Sequence, residues 1–373
     1  MLSFLESGAK IGKISMFVYI TLALVVGVFA LQENGSVTKK TRKHFYFSLL
    51  VFLLIVGLRY RHGDYGTYEM GYNEDIDVGG DAGYFQLQQW FHHIGASFQF
   101  FVFVITLFSV LAFRKIFNIS CWPLFGMAVI LGKIFTLYAM SGIRQYVAMA
   151  LCWWALYELL ANKRKIHFFV MLFLAYTLHG SALILLPVYF FRERKFTFQT
   201  AFFILLASVI IGRFSMTFFA TASDMSDLVR DRFGTYVSES QASEEDMGMN
   251  LLNYFENFLF LALALFARKK AMGKIPYYDL FLYMFVIYCG FLIAGKDVGI
   301  IKRLRDYYVI AYAFIVPGYF CLFKSKRYFQ LSRLVMVAYF IFLMFRSLYV
   351  FDSSFPPNTY GRMIPYHSIF QKP

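Results

Sequence analysis

The residues best suited to chemistry in this sequence are arginines that stand at the ends of apolar stretches. Arg59 follows the apolar run that ends at Leu58, and Arg144 precedes the apolar run that begins at Tyr146. Five arginines share this placement: Arg59, Arg61, Arg144, Arg303 and Arg305. The planar guanidinium group binds phosphate through paired hydrogen bonds. If the apolar runs pack as a bundle, the arginines converge into one basic pocket for a pyrophosphate; alternatively, each pairs with a nearby carboxylate or reaches lipid headgroups.

Two further side chains are candidates for proton transfer. Asp64 lies in the segment from Arg59 to Tyr68, where nearby arginines would keep its carboxylate ionised and able to accept a proton from a hydroxyl. The alternative is an ion pair with Arg59 or Arg61. His179 is a polar group within an apolar stretch, which makes it a candidate functional residue, although it could simply close a turn. We take Asp64 as the first candidate for a base and His179 as the second.

The elements that must position these residues are apolar stretches of membrane-spanning length. The chain has 373 residues, of which 59% are hydrophobic and 21% are aromatic, a composition typical of polytopic membrane proteins. About ten stretches approach the roughly 20 residues needed to cross a bilayer. We predict spans at 14–31, 44–58, 98–113, 119–140, 143–160, 198–219, 251–267, 277–294, 305–323 and 331–349. The sequence therefore predicts an all-α integral membrane protein that forms a single domain over 1–373.

Charge fixes the orientation of these spans. Lysine and arginine accumulate in cytoplasmic loops, and acidic residues are frequent in segments 59–97 and 220–250. Segment 166–191 has basic residues on both flanks, so we predict a short helical hairpin that turns at His179-Gly180-Ser181. With this hairpin every basic loop lies inside, and 59–97 and 220–250 become outer loops. The arginine-rich ends and both termini then face the exterior.

Several classes of function are excluded or disfavoured. The net charge of +14 could indicate nucleic-acid binding, but most of the charge lies in short loops where membrane topology accounts for it. No zinc, Walker or dinucleotide motif occurs in a usable position, so we expect no cofactor. Acidic runs near Glu74 and Glu244 could hold a divalent cation, but solvated acidic runs are commoner, and we expect no metal.

Several short motifs together resemble those of a known family. In chain order they are Gly57-Leu58-Arg59-Tyr60 with Gly63-Asp64-Tyr65, Asp81-Ala82-Gly83-Tyr84, Ser141-Gly142-Ile143-Arg144-Gln145, His179-Gly180-Ser181-Ala182-Leu183 and Arg303-Leu304 with Tyr307-Tyr308. In this order, over residues 57–317, they resemble the EpsG/Wzy-type polysaccharide polymerases. One departure is that Gly63 and Asp64 are adjacent, whereas the family usually has a residue between them.

The resemblance implies a GT-C-like membrane glycosyltransferase in the bacterial inner membrane. Such an enzyme polymerises undecaprenyl-pyrophosphate-linked oligosaccharide repeat units on the outer, periplasmic face, for O-antigen, capsule or exopolysaccharide. The five arginines would hold the leaving pyrophosphate without a metal. Residues placed to contact sugar are Tyr60, Tyr65, Tyr68, Asp81 and Gln145. Expected partners are membrane lipids, a flippase and a chain-length regulator.

Two alternatives stay open at this point. An O-antigen ligase-like transferase would use the same lipid-linked donor with a lipid A-core acceptor. A flippase or transporter would move the same lipid-linked sugar across the bilayer, and it would need polar residues along a path open to both faces. The sugars of the repeat unit and the linkage formed are not specified by the sequence.

Overall fold

The computed structural model describes residues 2–78, 80–225, 251–295, 299–356 and 361–371. Regular secondary structure in these ranges is helical, and a single β-bridge joins Arg59 and Ser368. The α-helices are α1 Leu2–Ala30, α2 Lys39–Gly57, α3 Tyr65–Asn73, α4 Ala82–His93, α5 Phe98–Phe117, α6 Pro123–Lys133, α7 Ile143–Leu160, α8 Lys165–Leu178, α9 Val188–Phe191, α10 Phe198–Met225, α11 Leu251–Ala271, α12 Tyr278–Ala294, α13 Gly299–Arg305, α14 Ile310–Ile315, α15 Pro317–Phe320 and α16 Lys326–Ser353. The all-helical class predicted from the sequence is confirmed for the described residues.

The chain divides into two compact units. One comprises Met1–Leu183 together with Ser325–Pro373, and the other comprises Ile184–Lys324. In the first unit α7 packs against α5 and α8, and α16 packs against α6. In the second unit α10 and α11 pack against α12. The single membrane domain stays a prediction.

Local signals in the sequence explain where several helices begin. Thr38 and Thr41 form a reciprocal capping box before α2, and the Ser97 hydroxyl accepts a hydrogen bond from the Phe100 amide at the start of α5. Pro123 occupies the first turn of α6, where its missing N–H leaves no helical bond unmade. These caps fix where the apolar segments start.

Most predicted spans coincide with helices. Three helices are both long and apolar enough to cross a bilayer, namely Phe98–Phe117, Leu251–Ala271 and Lys326–Ser353. Shorter apolar helical stretches occupy Met16–Ala30, Pro123–Lys133, Lys165–Leu178, Gly180–Phe191, Phe198–Phe214 and Tyr278–Ala294. The chain thus has the apolar helices of a membrane protein, and the count of about ten spans stays a prediction.

Two predicted spans are not continuous α-helices, and a segment predicted as an outer loop contains helices. Segment 59–97, predicted as an outer loop, contains the helices α3 and α4, whose tyrosine side chains are buried. The span predicted over 119–140 is interrupted after α6 by a π-helical turn, Phe135–Ala139. The span predicted over 305–323 is a 3₁₀ turn followed by the short helices α14 and α15. Apolar composition marks a buried segment but does not show where its backbone departs from the α-helix.

The helical break predicted at His179 is present, but the second arm is shorter than expected. Helix α8 ends at Leu178, and His179 adopts an extended backbone with φ −162° and ψ 115°. A 3₁₀ turn, Gly180–Leu185, and the four-residue α9 follow instead of a 16-residue arm. Of the predicted outer loop 220–250, residues 226–250 lie outside the described residues.

Candidate functional site

The clearest cluster of charged groups in the first unit surrounds Asp81. Its Oδ2 atom lies 2.8 Å from Nη1 of Arg144 and 3.3 Å from Nδ1 of His179. Its Oδ1 atom accepts a 3.2 Å hydrogen bond from the Gly180 amide. The Arg144 contact is a hydrogen-bonded ion pair, whereas the His179 ring is close without hydrogen-bond geometry. Three segments that are distant in sequence therefore meet at one carboxylate.

Electrostatics keep this carboxylate ionised. Burial alone would raise the pKa of Asp81, but the contacts with His179, Arg144 and the Gly180 amide outweigh burial and lower that pKa below its ordinary value. An ionised Asp81 holds Arg144 in place by charge-assisted hydrogen bonding. The nitrogen of His179 that lies near this carboxylate is Nδ1.

Close packing between α4 and α8 brings Asp81 to His179. Asp81 occupies the N-cap position of α4, yet its carboxylate makes no hydrogen bond to its own helix. Two residues later, a Cβ atom added to Gly83 would lie 2.6 Å from the Thr177 side chain and 2.7 Å from the Thr177 carbonyl oxygen. Only glycine therefore permits this approach of α4 to the end of α8.

The start of α7 presents Arg144. The π-helical turn Phe135–Ala139 and Gly142 come immediately before this helix, and π-helical turns occur frequently at functional sites. Nε of Arg144 donates to the Tyr68 hydroxyl at 3.4 Å, while Nη1 is bonded to Asp81. The Nη2 atom makes no hydrogen bond to the part of the chain that the structure describes. This partly exposed guanidinium group therefore keeps one edge available for an anion.

The loop after α2 holds Arg59 in a different setting. The Arg59 side chain is 2% exposed, and its guanidinium group donates to the carbonyl oxygens of Val56 and Met140. Arg61 has φ of 66° and places its guanidinium carbon 4.7 Å from the centre of the Tyr60 ring. In this structure Arg59 ties the loop to the end of α2 and to the residue before Ser141, so contact with phosphate would require its exposure.

The C-terminal segment 361–371 braces that loop. The amide of Tyr60 donates to the His367 carbonyl oxygen at 2.8 Å, and the amide of Ile369 donates to Leu58 at 3.0 Å. The fully buried His62 ring accepts a 2.9 Å hydrogen bond from the His367 amide at Nε2 and donates from Nδ1 to the Arg362 carbonyl oxygen at 2.8 Å. Burial lowers the pKa of His62 to about 4, so the ring is neutral, as this pairing requires.

Asp64 lies beside the cluster but is not fixed by it. Its side chain is exposed, and its carboxylate makes no hydrogen bond or ion pair with the described residues, so it is paired with neither Arg59 nor Arg61. Its amide donates to the Ser141 hydroxyl at 3.3 Å, and a Cβ on the preceding Gly63, which has φ of 56°, would collide with Ser141. The Asp64 backbone is thus held close to the start of α7.

The remaining candidates fall into three groups. Tyr68 borders the cluster through its bond to Arg144. Tyr60, Tyr65 and Gln145 are buried, and the Tyr65 hydroxyl donates to Gln99. Arg303 and Arg305 belong to the second unit, where Arg305 donates to Asp306 at 3.0 Å. The convergence of all five arginines in one pocket stays a prediction.

Comparison with known proteins places the chain in a family. The model of the EpsG family matches residues 42–368, which is nearly the whole chain. The chain belongs to the EpsG family. This membership confirms the resemblance carried by the motifs and points to a membrane protein of the polysaccharide polymerase type. No curated protein and no solved structure matches the chain.

The EpsG-family motifs mark Asp81, Arg144 and His179 as separate residues and do not predict that they meet. The motifs predict sugar contact for Asp81, which stays a prediction, and the structure places its carboxylate against Arg144 and His179. The only sequence signal for the meeting is Gly83, a small residue two positions after Asp81. The bracing segment 361–371 was missed altogether, since its residues show no periodicity that indicates a partner.

Proposed function

We propose that this protein is a metal-independent glycosyltransferase that polymerises oligosaccharide repeat units carried on undecaprenyl pyrophosphate. The observation that supports this most directly is the meeting of Arg144, Asp81 and His179, because it brings a guanidinium group that can bind phosphate and a titratable histidine to one carboxylate. Family membership supplies the polysaccharide context. The proposed site faces the outer side of the bacterial inner membrane.

In the proposed reaction, a hydroxyl oxygen of one lipid-linked repeat unit attacks the anomeric carbon of the growing glycan on a second lipid. A new C–O bond forms while the bond between the anomeric carbon and the pyrophosphate oxygen breaks. The hydroxyl proton passes to a protein base, and the lipid pyrophosphate leaves with the bonding electrons. Its developing charge requires a fixed positive group.

Arg144 is the side chain best placed to supply that charge. Its bonds to Asp81 and Tyr68 fix the guanidinium plane and leave Nη2 for a pyrophosphate oxygen. Fixing the donor before the substrate binds avoids the cost of reorganising it during the reaction. Arg59 in this scheme positions the loop, and Arg61 on the same loop adds positive charge to this unit.

His179 is favoured as the base over Asp64. Its Nδ1 faces an ionised carboxylate that is itself held by two hydrogen bonds, which leaves Nε2 as the proton acceptor. Asp64 is exposed and lacks an orienting partner among the described residues. A base must be positioned as well as basic, so Asp64 becomes the second candidate.

Complementation of a strain that lacks this gene tests the proposal. The wild-type allele should restore long polysaccharide on a gel, whereas Arg144→Ala and His179→Gln should leave single repeat units at normal protein level. Asp64→Asn should retain polymer, as should Arg114→Ala, an exposed arginine outside the cluster. Long polymer from Arg144→Ala would show that the site is elsewhere. Polymer from His179→Gln but not from Asp64→Asn would identify Asp64 as the base.

The proposed orientation has its own test. In a cysteine-free background, single cysteines replace Thr67 on α3 and Asn162 after α7, both of which are exposed. A membrane-impermeant thiol reagent applied to the outer face should label Thr67→Cys and should not label Asn162→Cys. The reverse pattern would place the cluster on the cytoplasmic side.

A further inference from the structure

An open pocket of about 240 Å³ lies within the second unit. It is lined by residues 192–195, by Met272 and by residues 277–280. One water molecule needs roughly 10–15 Å³ of such space, so the pocket admits a group of several heavy atoms. The pocket is smaller than the roughly 300–1,000 Å³ of sites that enclose a whole small molecule. Its size therefore suits one polar group of a larger ligand.

Both acidic residues that line this pocket are paired with arginine. Asp279 accepts hydrogen bonds of 2.7 and 2.8 Å from Arg268. A carboxylate oxygen of Glu193 lies 3.2 Å from Nε of Arg192. Neither carboxylate therefore leaves an uncompensated negative charge in the pocket.

Arg194 and Lys195 give the pocket a positive charge. Both residues line the pocket and are exposed. Their side chains form no hydrogen bond or ion pair with the residues that the structure describes. Lysine and arginine both bind phosphate through charge-assisted hydrogen bonds. Two adjacent cations without an acidic partner therefore favour a phosphate group as the ligand.

The backbone that carries these two cations is held by α12. The Tyr283 hydroxyl donates to the Lys195 carbonyl oxygen at 3.1 Å and accepts a 2.9 Å hydrogen bond from the Thr197 amide. The Phe196 amide donates to Asp279 at 2.9 Å. Because this segment is fixed before a ligand arrives, binding costs less conformational entropy than it would on a loose loop.

Exposed aromatic side chains beside the pocket indicate where the phosphate comes from. Phe198, the first residue of α10, is 67% exposed, and Phe266 on α11 is 77% exposed. The Phe196 ring connects them to the pocket, since its centre lies 5.8 Å from the Phe198 ring and 5.4 Å from the Arg268 guanidinium carbon. Large exposed apolar side chains on apolar helices contact lipid, and basic pockets at the ends of such helices bind anionic headgroups.

We propose that this pocket binds the phosphate of an anionic phospholipid headgroup. Arg194 and Lys195 are the binding residues, and the acyl chains lie against the exposed apolar side chains of α10 and α11. Arg268 and Asp279 hold the frame of the pocket and do not contact the lipid. Binding at this pocket does not depend on the proposed polymerase activity.

Native mass spectrometry of the full-length protein in detergent measures this binding. Phosphatidylglycerol is anionic, and phosphatidylcholine with the same acyl chains is not. Each basic residue beside an anionic lipid contributes about fivefold to binding, so Arg194→Gln/Lys195→Gln should weaken phosphatidylglycerol binding by about 25-fold and change phosphatidylcholine binding little. The control Arg164→Gln/Lys165→Gln removes the same two residue types from an exposed segment of the first unit and should bind both lipids as the wild type does. Equal affinity of the wild type and Arg194→Gln/Lys195→Gln for phosphatidylglycerol would overturn the site.

A second variant keeps both cations and changes the pocket itself. Met272 lines the pocket and is 46% exposed, so Met272→Glu adds a negative charge there without disturbing the core. Phosphatidylglycerol binding should fall by about fivefold, as for the loss of one basic residue. If Arg194→Gln/Lys195→Gln does not fold, this variant decides alone, and wild-type affinity in Met272→Glu would overturn the site.

Melting curves with two additives distinguish a lipid from a soluble phosphate. Phosphatidylglycerol should raise the melting temperature of the wild type and leave that of Arg194→Gln/Lys195→Gln unchanged. Excess inorganic phosphate should neither stabilise the wild type nor displace the bound lipid. Displacement of phosphatidylglycerol by inorganic phosphate would show that the pocket takes a soluble phosphate, and the lipid assignment would be wrong.

Discussion

Two arginine–aspartate pairs in this protein use the same residue types for different purposes. In the second unit, Arg268 at the end of α11 binds Asp279 at the start of α12 through two parallel hydrogen bonds of 2.7 and 2.8 Å. The Phe196 amide donates a further bond of 2.9 Å to Asp279. This bidentate pair joins three segments, and both of its carboxylate oxygens are occupied by groups that hold the fold.

Arg144 binds Asp81 through one guanidinium nitrogen, whereas Arg268 binds Asp279 through two. Nη1 alone bonds to Asp81, Nε bonds to the Tyr68 hydroxyl, and Nη2 makes no hydrogen bond within the described residues. Asp81 also joins three segments, but one of its contacts is the titratable His179 ring, which lies 3.3 Å from the oxygen that binds Arg144. The comparison shows that an ion pair stabilises the fold when its donors and acceptors are all bonded within the protein. An ion pair can take part in a reaction when one guanidinium nitrogen has no partner and a titratable side chain lies beside it.

Matched lysine substitutions should separate the two pairs most strongly. Arg144→Lys removes the fork that would bind pyrophosphate, so turnover should fall by roughly 10²–10³-fold, the range for losing one fixed oxyanion donor. The melting temperature should stay close to that of the wild type. Arg268→Lys should do the reverse, with a loss of about 1 kcal/mol of stability and a normal rate per folded molecule. Turnover assays and melting curves on the purified variants provide both measurements.

Gly83→Val should disturb the Asp81 cluster without altering any of its charged groups. The added side chain would collide with the Thr177 backbone, move α4 away from α8, and separate Asp81 from His179 and Gly180. We expect turnover to fall at least tenfold and stability to fall by about 1–3 kcal/mol. Gly273→Ala is the control, since no atom lies within 4 Å of its added Cβ. Normal turnover in Gly83→Val would show that the approach of α4 to α8 is not required.

The hydrogen bonds between His62 and the C-terminal segment 361–371 should contribute less stability at low pH. His62 has a folded pKa of about 4, compared with 6.5 for an unperturbed histidine, because it is buried. Between these values the unfolded chain binds the extra proton and the folded chain does not, so stability falls as the pH falls from about 6.5 to about 4. The full effect is about 3 kcal/mol, since each pKa unit corresponds to about 1.4 kcal/mol.

Melting curves at several pH values check this effect. His62→Gln should be less stable at neutral pH and should lose much of the decline in stability between pH 6.5 and 4. His93→Gln, which alters an exposed histidine on α4, should follow the wild type. An unchanged pH profile in His62→Gln would indicate that the ring does not hold the C-terminal segment.

Removal of metal should have the smallest effect. If arginine neutralises the leaving pyrophosphate, purified enzyme in excess EDTA should polymerise at a rate within about twofold of the untreated enzyme. Loss of activity that Mg²⁺ or Mn²⁺ restores would show that the protein or its substrate requires a divalent ion. In that case Arg144 would share the neutralisation of the leaving pyrophosphate with a divalent ion.

The sequence predicts the helices better than the site. Helices such as α5 and α16 follow from apolar length, which is a local property of the chain. The motifs also mark Asp81, Arg144 and His179 individually. Their meeting depends on contacts between residues 63 to 99 positions apart in sequence. These contacts depend on backbone approach at Gly83 and on the π-helical turn before α7. Neither feature has a signature in hydrophobic periodicity.

The sequence also does not predict helices α3 and α4 or the contacts of the C-terminal segment 361–371. Helices α3 and α4 are rich in tyrosine and glutamine and carry no apolar run, so they resemble a loop in composition. The C-terminal segment pairs with residues about 300 positions away through backbone hydrogen bonds, for example His367 with Tyr60. Backbone pairing of this kind is almost independent of side-chain type.

Reconstitution of purified protein with lipid-linked repeat units measures transfer most directly. Chain elongation and release of lipid pyrophosphate are followed in the same reaction, for the wild type, Arg144→Lys and Arg268→Lys. A transfer site at Arg144 and Asp81 predicts that the wild type and Arg268→Lys release one lipid pyrophosphate for each repeat unit added. In Arg144→Lys, elongation and release should both be slowed by roughly 10²–10³-fold. Elongation by Arg144→Lys at the wild-type rate, or translocation of the lipid by the wild type without elongation, would contradict a transfer site at Asp81, Arg144 and His179.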